Sequence, residues 1–290
     1  MTYTMDRVHD YKAVMTFNSV LDLVNALEGT AGYDKRDESM RNMPSRNRNK
    51  YYGRGMTGMD KLTKLAAKGL PVDGVEAVDL AEHNLSRVDR EIDTPVWGSY
   101  YDVAGSEVDV ARYLTGEPEC MVNYHTQEIP RAGRVIELVV SICTPHHVSP
   151  ESVKKRGEEI MSVVLAIESL GLQCELWADC LITAYGNGSG THGRIRVRLK
   201  DAGSVLDPGQ VMFALTHVGM LRGLVLGACH LLPSDLHDDL DVGSGYGYVF
   251  QGIDKTDYSE HSVFIPSLMS DSDARKDLVQ STLRELGIIE

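Results

Sequence analysis

The chain has 290 residues, a formal net charge of −13 and a hydrophobic fraction of 42%. A chain of this length and composition buries a core of its own, as one large domain or two small ones. No apolar run approaches the length of about 18 residues that a transmembrane helix needs, so we expect no membrane protein. The first residues, MTYTMDRVHD, lack a basic start followed by an apolar block, and we expect no signal peptide.

The cysteines are odd in number and show no C-x-x-C spacing. They are Cys120, Cys143, Cys174, Cys180 and Cys229. Such a set is typical of buried, reduced thiols in a cytosolic protein. No group of histidines and cysteines has the spacing of a metal site. We therefore expect no disulfide, no structural metal and no cofactor.

Charge is distributed unevenly along the chain. Residues 41–64 contain seven basic residues and one acidic residue, whereas residues 71–130 contain thirteen acidic and three basic residues. Local potential, not net charge, decides where a polyanion binds. A basic island beside an acidic region therefore favours a local site for a polyanion.

The N-terminal part of the chain predicts helices separated by a flexible arm. Residues 10–28 have apolar side chains at spacings of three and four, which predicts one helix. Residues 30–60 are rich in Gly, Asn, Ser and Arg and have almost no apolar periodicity, so we expect a loop or arm. Two further helices are expected, one over 59–69 and one over 73–90.

The most regular pattern predicts a strand, a helix and a second strand. RVIELVVSIC (134–143) is typical of a buried strand, and residues 149–171 form an amphipathic helix with Ser149 as its N-cap. LQCELWADCLITAY (172–185) predicts the second strand. A strand–helix–strand unit at 134–182 indicates a parallel pair.

The predicted fold class is α/β, with a mixed sheet on which helices pack. Further helices are expected at about 208–226 and 271–286, and residues 233–262 are expected to be surface loop. Residues 1–125 are interpreted as an N-terminal helical or irregular region that carries the basic arm 41–64. Residues 126–290 are interpreted as the α/β domain, and the two parts as one continuous fold.

The segment 45–55, SRNRNKYYGRG, is the first candidate for function. Single-stranded nucleic acid is bound by cations that follow the phosphates and by aromatic rings on which bases stack. The segment supplies Arg46, Arg48, Lys50 and Arg54 as cations and Tyr51 and Tyr52 as rings. The alternative interpretation is an ordinary solvated basic loop. Because the segment has no apolar stripe, we expect substitutions in it to leave the protein folded.

The segment RIRVRLK (194–200) is the second candidate. Its strict alternation predicts an antiparallel partner of the preceding strand, with Arg194, Arg196, Arg198 and Lys200 on one face. Four cations on one face cannot be buried without partners. We expect an exposed face that protects an edge from aggregation, or one basic surface shared with the arm.

Histidines and glycine-rich turns give weaker signals. His146 and His147 follow a strand and precede a helix, a position where ligands bind in α/β sheets. GNGSGTHG (186–193) lacks the order of a phosphate-binding loop and is interpreted as a hairpin turn. GSGYGYVFQG (243–252) places two tyrosines in a glycine setting and offers a second stacking surface.

Two stretches resemble a family of uncharacterised proteins encoded by tailed phages and some actinobacteria. The stretches are WGSYYDVAGSEVDVARYLTGEPECMV (97–122) and IPRAGRVIELVVSICTPHHVSPESVKKRGEEIMSVVLAIESLGLQCELWA (129–178). The matching positions are Trp97, Asp102, Val103, Gly105, Arg112, Tyr113, Gly116, Glu117, Pro118, Arg156, Gly157 and Trp177. The resemblance covers under half of the chain and implies viral origin without an established activity.

The chain is also similar to the single-stranded-DNA-binding RNA polymerase cofactors of N4-like phages. This similarity implies a homo-oligomer that assists phage transcription in the cytoplasm of the infected bacterial host. We therefore expect binding of single-stranded DNA without sequence preference, by the arm and the strand 194–200. One alternative is an enzyme with a pocket around His146 and His147. The other is a phage protein that modulates a host protein through the acidic region 71–130.

Overall fold

A computed structural model describes residues 3–9, 11–92, 97–126, 135–184, 190–249, 254–259, 262–275 and 277–286. The strands are β1 (Thr4–His9), β2 (Lys12–Phe17), β3 (Trp97–Asp102), β4 (Glu107–Val108), β5 (Met121–Thr126), β6 (Val135–Ser141), β7 (Gln173–Thr183), β8 (His192–Lys200), β9 (Tyr248–Val249) and β10 (Val263–Ile265). The α-helices are α1 (Val20–Leu27), α2 (Ala31–Asn42), α3 (Ser45–Tyr52), α4 (Met59–Lys68), α5 (Pro71–Ile92), α6 (Val110–Leu114), α7 (Pro150–Ser169), α8 (Pro208–Thr216), α9 (Leu226–Ala228) and α10 (Leu278–Glu285). A π-helix, Met220–Val225, leads into α9, and single 3-10 turns cover Cys229–Leu231, Ser234–Leu236 and Asp273–Arg275.

The main sheet is mixed, and the predicted α/β class is confirmed. Among the described residues its strand order is β1-β2-β8-β7-β6-β10, with β9 paired to β7. The strand–helix–strand unit is present, because β6 and β7 are parallel and α7 connects them. The segment predicted at 194–200 is β8, which pairs antiparallel with β7 and parallel with β2.

The two faces of this sheet have different environments. On one face, Ile195 and Val197 of β8 share a hydrophobic cluster with Phe17, Tyr52 and Leu62, so helices cover this face. Further along the same face, α7, α8 and α10 pack over β6 and β7. On the opposite face, a small cluster of Val139, Trp177 and Phe264 is packed against Tyr258. Successive side chains of a strand alternate between faces, which separates these environments.

The single helix predicted over 10–28 is wrong in its first half. Residues Lys12–Phe17 form β2, a strand buried along its whole length between β1 and β8. The helix begins only at Val20, after Ser19, whose side chain accepts a hydrogen bond from the Asp22 amide at 3.0 Å. The apolar residues of this region fit helical spacing, but pairing on both edges of β2 overrides that local preference.

The prediction of a loop over 30–60 is also wrong, because α2 and α3 occupy most of it. Thr30 caps α2 by accepting from the Tyr33 amide at 3.2 Å. The buried side of α2 consists of Gly32, Arg36 and Met40. A Cβ on Gly32 would lie 2.2 Å from the Gly227 carbonyl oxygen, so glycine permits the close approach of α2 to α9. A face made of glycine, arginine and methionine gives no apolar periodicity, and the helix could therefore not be predicted from the spacing of apolar residues.

Both segments predicted as C-terminal helices are helical, but the α-helices in them are shorter than predicted. The segment 208–226 contains α8 and then the π-helix, and the segment 271–286 contains a 3-10 turn and then α10. Among the described residues no single helix has the length and apolar composition to cross a membrane. The helices Pro208–Thr216 and Met220–Leu231 reach that composition only as a pair bent by 72°.

Residues 97–126 form a separate small sheet of order β3-β5-β4, with α6 beside it. None of the side chains whose exposure is described between Ser99 and Asn123 is buried. Polar contacts organise this unit instead. Asp109 caps α6, and the Arg112 guanidinium lies 3.6 Å from the centre of the Tyr101 ring. Within the acidic region 71–130, the described residues form α5, which packs on α7 and α8, and this small sheet.

Candidate functional site

A cavity of about 500 Å³ opens at the C-terminal ends of β6 and β7. These strands are parallel, so the segments that follow them meet at one edge of the sheet. The lining residues are Tyr51, Cys143, Thr144, Pro145, His146, His147, Cys180, Ile182, Leu221, Arg222, Leu226, Gly245, Tyr246, Gly247, Tyr248 and Met269. Its volume lies within the range of about 300–1,000 Å³ that is usual for small-ligand sites.

Arg222 is the charged residue of this lining. It projects from the π-helix and is only 5% exposed. Its Nη1 donates to the carbonyl oxygens of Lys50 at 3.3 Å and Tyr51 at 3.2 Å, and its Nη2 donates to that of Pro145 at 3.3 Å. The guanidinium also lies 4.9 Å from the centre of the Tyr51 ring. These contacts join the C-terminal end of α3 to the wall of the cavity.

The charge of Arg222 has no carboxylate partner among the described residues. Burial lowers the pKa of Arg222, but a guanidinium starts so high that it keeps its proton. No aspartate or glutamate is among the described residues that line the cavity. In a protein with a net charge of −13, this wall is therefore a local region of positive potential.

Tyr246 stands in a strained turn on another side of the cavity. Its φ of 60° lies in the left-handed region, which residues with a Cβ rarely adopt. Gly245 and Gly247 flank it, and Gly247 also has a positive φ, of 66°. Its hydroxyl lies 3.0 Å from His230 Nε2, and burial raises the pKa of Tyr246 to about 12. The ring is thus a fixed, neutral phenol at this wall.

Two cysteines also reach the cavity, and their sulfur atoms lie 3.0 Å apart. Cys143 donates to Cys180, and both are free thiols. The hydrogen bond from Cys143 and burial raise the pKa of Cys180 well above its ordinary value. A reactive cysteine needs a lowered pKa, so the environment of Cys180 disfavours a nucleophilic thiolate.

His146 and His147 lie at the exposed rim. His147 Nε2 is 3.1 Å from the Met269 carbonyl oxygen, and the two imidazole rings are 6.0 Å apart, edge to face. Within the described ranges, no group of three His, Cys, Asp or Glu side chains is placed to hold a metal ion. The cavity nevertheless lies at the sheet edge where the enzyme hypothesis expected a pocket, around His146 and His147.

The residues predicted in the arm lie on or next to helix α3 and have different environments. Arg46, Lys50 and Arg54 are exposed, whereas Arg48 turns inward and donates to the Met40 carbonyl oxygen at 3.3 Å. Tyr51 is half-buried and lines the cavity.

Tyr52 is fully buried. It donates to Ser39 Oγ at 2.8 Å. A base cannot stack on its ring in this structure, which corrects the expectation that both tyrosines are available.

The arginines predicted on β8 have different surroundings. Arg194 is fully buried and forms ion pairs with Asp179 at 3.2 Å, with Asp254 at 3.7 Å and with Asp257. The expectation of an exposed face is therefore wrong for Arg194.

The other two arginines of this strand are partly exposed. Arg196 donates to Thr16 Oγ1 at 2.8 Å, and Arg198 lies 3.6 Å from Glu175 and 3.2 Å from Asp201.

The arm and the β8 arginines do not form one basic surface. Tyr52 of α3 lies in the same hydrophobic cluster as Ile195 and Val197, whereas Arg194 and Arg196 point to the opposite face by strand alternation. The sheet itself thus separates the two groups that the sequence suggested might act together.

Sequence reasoning missed Arg222 and Arg36. The available signal for Arg222 was its isolation, since it is the one Lys, Arg, Asp or Glu between Pro208 and Ser234. A lone charge in an apolar stretch must find buried partners or face a polar cavity. Arg36 gave no such signal, because it lies among many other charged residues.

The fold and the cavity define a mixed α/β protein with a cationic pocket at the ends of two parallel strands. Residues 6–290 match the family described as Domain of unknown function (DUF7192), and the chain belongs to that family. No curated protein and no solved structure matches the chain.

Proposed function

We propose that the chain binds a small anionic ligand, carrying a phosphate or carboxylate group, in the cavity between β6, β7 and α3. The observation that carries this proposal is Arg222, a buried cation that lines a cavity without carboxylates and has no acidic partner among the described residues. The described hydrogen bonds of Arg222 go to carbonyl oxygens. Its positive charge is therefore left without a counter-charge. A guanidinium in a site sheltered from water binds phosphate and carboxylate groups strongly.

The aromatic and polar lining adds to this proposal. Tyr51, Tyr246 and Tyr248 offer rings and hydroxyl groups, and Thr144 offers a further hydroxyl. A mainly apolar wall with a few polar groups is the usual composition of a small-ligand site. The enzyme considered as an alternative shares this cavity, but no described group stands out as an activated nucleophile.

Calorimetric titration with inorganic phosphate and pyrophosphate tests the proposal. The variant Arg222→Met should weaken binding of pyrophosphate by about tenfold or more, because it removes a charge-assisted contact. Arg46→Ala removes an exposed cation outside the cavity lining and should bind like the parent. Equal affinity in the parent and in Arg222→Met, or no binding of either probe, contradicts the proposal.

A second variant is needed because Arg222 also supports α3. Leu221 is half-buried and lines the cavity beside Arg222. Leu221→Glu keeps the contacts of Arg222 with the carbonyl oxygens and introduces a negative charge beside it. Pyrophosphate affinity should fall in this variant as well, while unfolding by urea shows a cooperative transition.

A second candidate function, binding of single-stranded DNA, is supported by the outer side of α3 and of the turn directly after it. Arg46, Lys50 and Arg54 are exposed and form no ion pair with any described residue, and Tyr51 beside them is half-exposed. We propose that this side follows a DNA backbone without sequence preference. The role as a cofactor of a phage RNA polymerase in an infected bacterium stays part of this proposal.

Fluorescence anisotropy with an oligothymidylate at several salt concentrations tests the DNA proposal. With three phosphate contacts, log K should fall with log salt at a slope of about −2. The triple variant Arg46→Ala, Lys50→Ala, Arg54→Ala should lose most of this slope. Lys155→Ala, an exposed cation on α7, is the matched control and should change nothing. Tighter binding to duplex DNA would contradict the proposal.

A further inference from the structure

A second cavity, of about 660 Å³, adjoins the first. Tyr51 and Tyr246 line both cavities, so these two side chains stand at the boundary between them. The second cavity is also lined by Lys35 and Arg36, with Glu38 as its carboxylate. Its lining therefore carries two cations and one anion, while the first cavity carries Arg222.

Arg36 shows the features of a ligand-binding group without a ligand. It is 7% exposed, and its Nε is buried with no hydrogen-bond partner. No carboxylate forms an ion pair with it within the described part of the chain. The Nε atoms of Arg48, Arg156 and Arg194 also have no hydrogen-bond partner, so it is the position of Arg36 in the lining of the second cavity that points to a ligand acceptor.

The two cations are held in a fixed relation. Arg36 Nη1 donates to the main-chain oxygen of Arg222 at 3.4 Å, and the Arg36 guanidinium lies 4.6 Å from the centre of the Tyr246 ring. Arg222 lies against the ring of Tyr51 at 4.9 Å. Each cation is thus paired with one of the two tyrosines at the boundary.

We infer that the ligand is a nucleotide that carries a phosphate on each side of its nucleoside. One phosphate binds Arg222, the second binds Arg36 and Lys35, and the base packs against Tyr51 between them. This inference rests on the proposed function of the first cavity. The same chemistry occurs in a free nucleoside bisphosphate and in an internal nucleotide of single-stranded DNA.

Three probes separate the parts of the inference: pyrophosphate, adenosine 5′-monophosphate and adenosine 3′,5′-bisphosphate. The bisphosphate should bind the parent at least about tenfold more tightly than the monophosphate, because it gains a second charge-assisted contact. Arg36→Met should abolish this difference. Lys35→Ala, which changes an exposed side chain, should reduce it and serves if Arg36→Met fails to fold.

Tyr51→Leu tests the place of the base. Because Tyr51 also lies against Arg222, pyrophosphate is the reference: Tyr51→Leu should weaken both nucleotides by about fivefold or more beyond any change in pyrophosphate affinity, the range of a lost stacking contact. If an oligothymidylate competes with the bisphosphate, the nucleotide that the site binds is part of single-stranded DNA. Binding of the bisphosphate without such competition would identify a free nucleotide.

The outcomes distinguish this inference from the function on which it rests. If pyrophosphate and the monophosphate bind through Arg222 but the bisphosphate gains nothing, the inference is overturned and the anion site stands. If the gain persists unchanged in both Arg36→Met and Lys35→Ala, the second cavity is not part of the site. If no probe binds, both proposals fall.

Discussion

Arg194 and Arg222 are both buried arginines, yet their electrostatic surroundings are opposite. Arg194 lies among Asp179, Asp254 and Asp257, which compensate its charge. Arg222 contacts carbonyl oxygens, which satisfy its N–H groups but supply only partial negative charge. The charge of Arg194 is therefore compensated by three carboxylates, although its Nε and Asp179 Oδ2 form no hydrogen bond, whereas Arg222 leaves a positive charge facing a cavity. Removing one member of the Arg194 network would leave a buried charge unpaired, so we assign it to stability.

Glu159 provides a prediction for the pH dependence of stability. Burial raises the pKa of Glu159 to about 7, and its Oε2 has no hydrogen-bond partner. Because the folded protein holds this proton more tightly than the unfolded chain, the contribution of Glu159 to stability falls as pH rises from about 4.5 to about 7. The free energy of unfolding of Glu159→Gln, relative to that of the parent, should therefore rise by about 1–2 kcal/mol from pH 5 to pH 8.

Urea unfolding of both proteins at the two pH values measures this difference. Glu82→Gln on α5 is the matched control, because Glu82 is exposed. Its free energy of unfolding relative to the parent should be the same at pH 5 and pH 8. A Glu159→Gln variant that loses stability relative to the parent as pH rises would show that a partner stabilises the charged carboxylate.

At the scale of elements, α3 is a helix that depends on its contacts with the rest of the protein. It has eight residues and no side-chain N-cap, and an isolated helix of this length is not stable in water. Tyr52 anchors it, because its ring is fully buried in the main cluster. Tyr52→Ala should therefore lower the free energy of unfolding by about 3–5 kcal/mol, as for other large core aromatics.

The neighbouring substitution Lys50→Ala is the control for Tyr52→Ala. Lys50 is exposed, and its replacement should change stability by no more than about 0.5 kcal/mol. Circular dichroism during urea unfolding measures both. This result would replace the expectation from sequence that the whole segment 45–55 tolerates substitution. If Tyr52→Ala were as stable as Lys50→Ala, α3 would not be part of the core.

The elements that sequence predicted well are those whose own residues carry the pattern. The strand β6 is rich in branched apolar residues, and α7 has Ser149 as its cap and Pro150 at its first position. The elements that sequence missed take their environment from distant parts of the chain. Strand β2 is buried by pairing with β1 and β8, and α2 approaches α9 through Gly32. Such long-range contacts cannot be inferred from the spacing of apolar residues in one segment.

The same argument applies to the stretches 97–122 and 129–178, where the sequence alone suggested a resemblance to phage proteins. Arg112 lies over the Tyr101 ring and 3.4 Å from Glu117, so these residues hold the small sheet together. Gly157 lets α7 approach α8, since a Cβ there would lie 2.3 Å from Thr216 Cγ2. These positions of the shared pattern have structural roles. The cavity residues Arg222 and Arg36 lie outside both stretches, which is why the resemblance did not indicate the site.

At the scale of the whole molecule, negative charge is concentrated at the surface and buried positive charge lines the cavities. The surface of the small sheet and α5 is acidic, whereas the cavities are lined by Arg36 and Arg222. An anionic ligand therefore meets repulsion over much of the surface and attraction at the cavity. Repulsion at long range is screened by salt, while buried contacts are screened less. If the cavity binds an anion as proposed, this arrangement favours a small anion that can enter it over a bulky one.

The small sheet of residues 97–126 is expected to be the least stable part of the described structure. Its exposed apolar side chains include Val110, Tyr113 and Leu114, and none of its described side chains, from Ser99 to Asn123, belongs to the hydrophobic clusters of the main body. Few buried apolar contacts mean a low free energy of local opening. Hydrogen exchange followed by mass spectrometry should show peptides from 97–122 exchanging at least about a hundredfold faster than peptides from β7. Peptides from α7, a surface-facing helix with a buried side, are the internal control and should be protected. Equal protection of 97–122 and β7 would mean that another molecule covers the exposed apolar side chains. Dilution of the protein would then separate a second copy, whose protection is lost on dilution, from a contact within one chain.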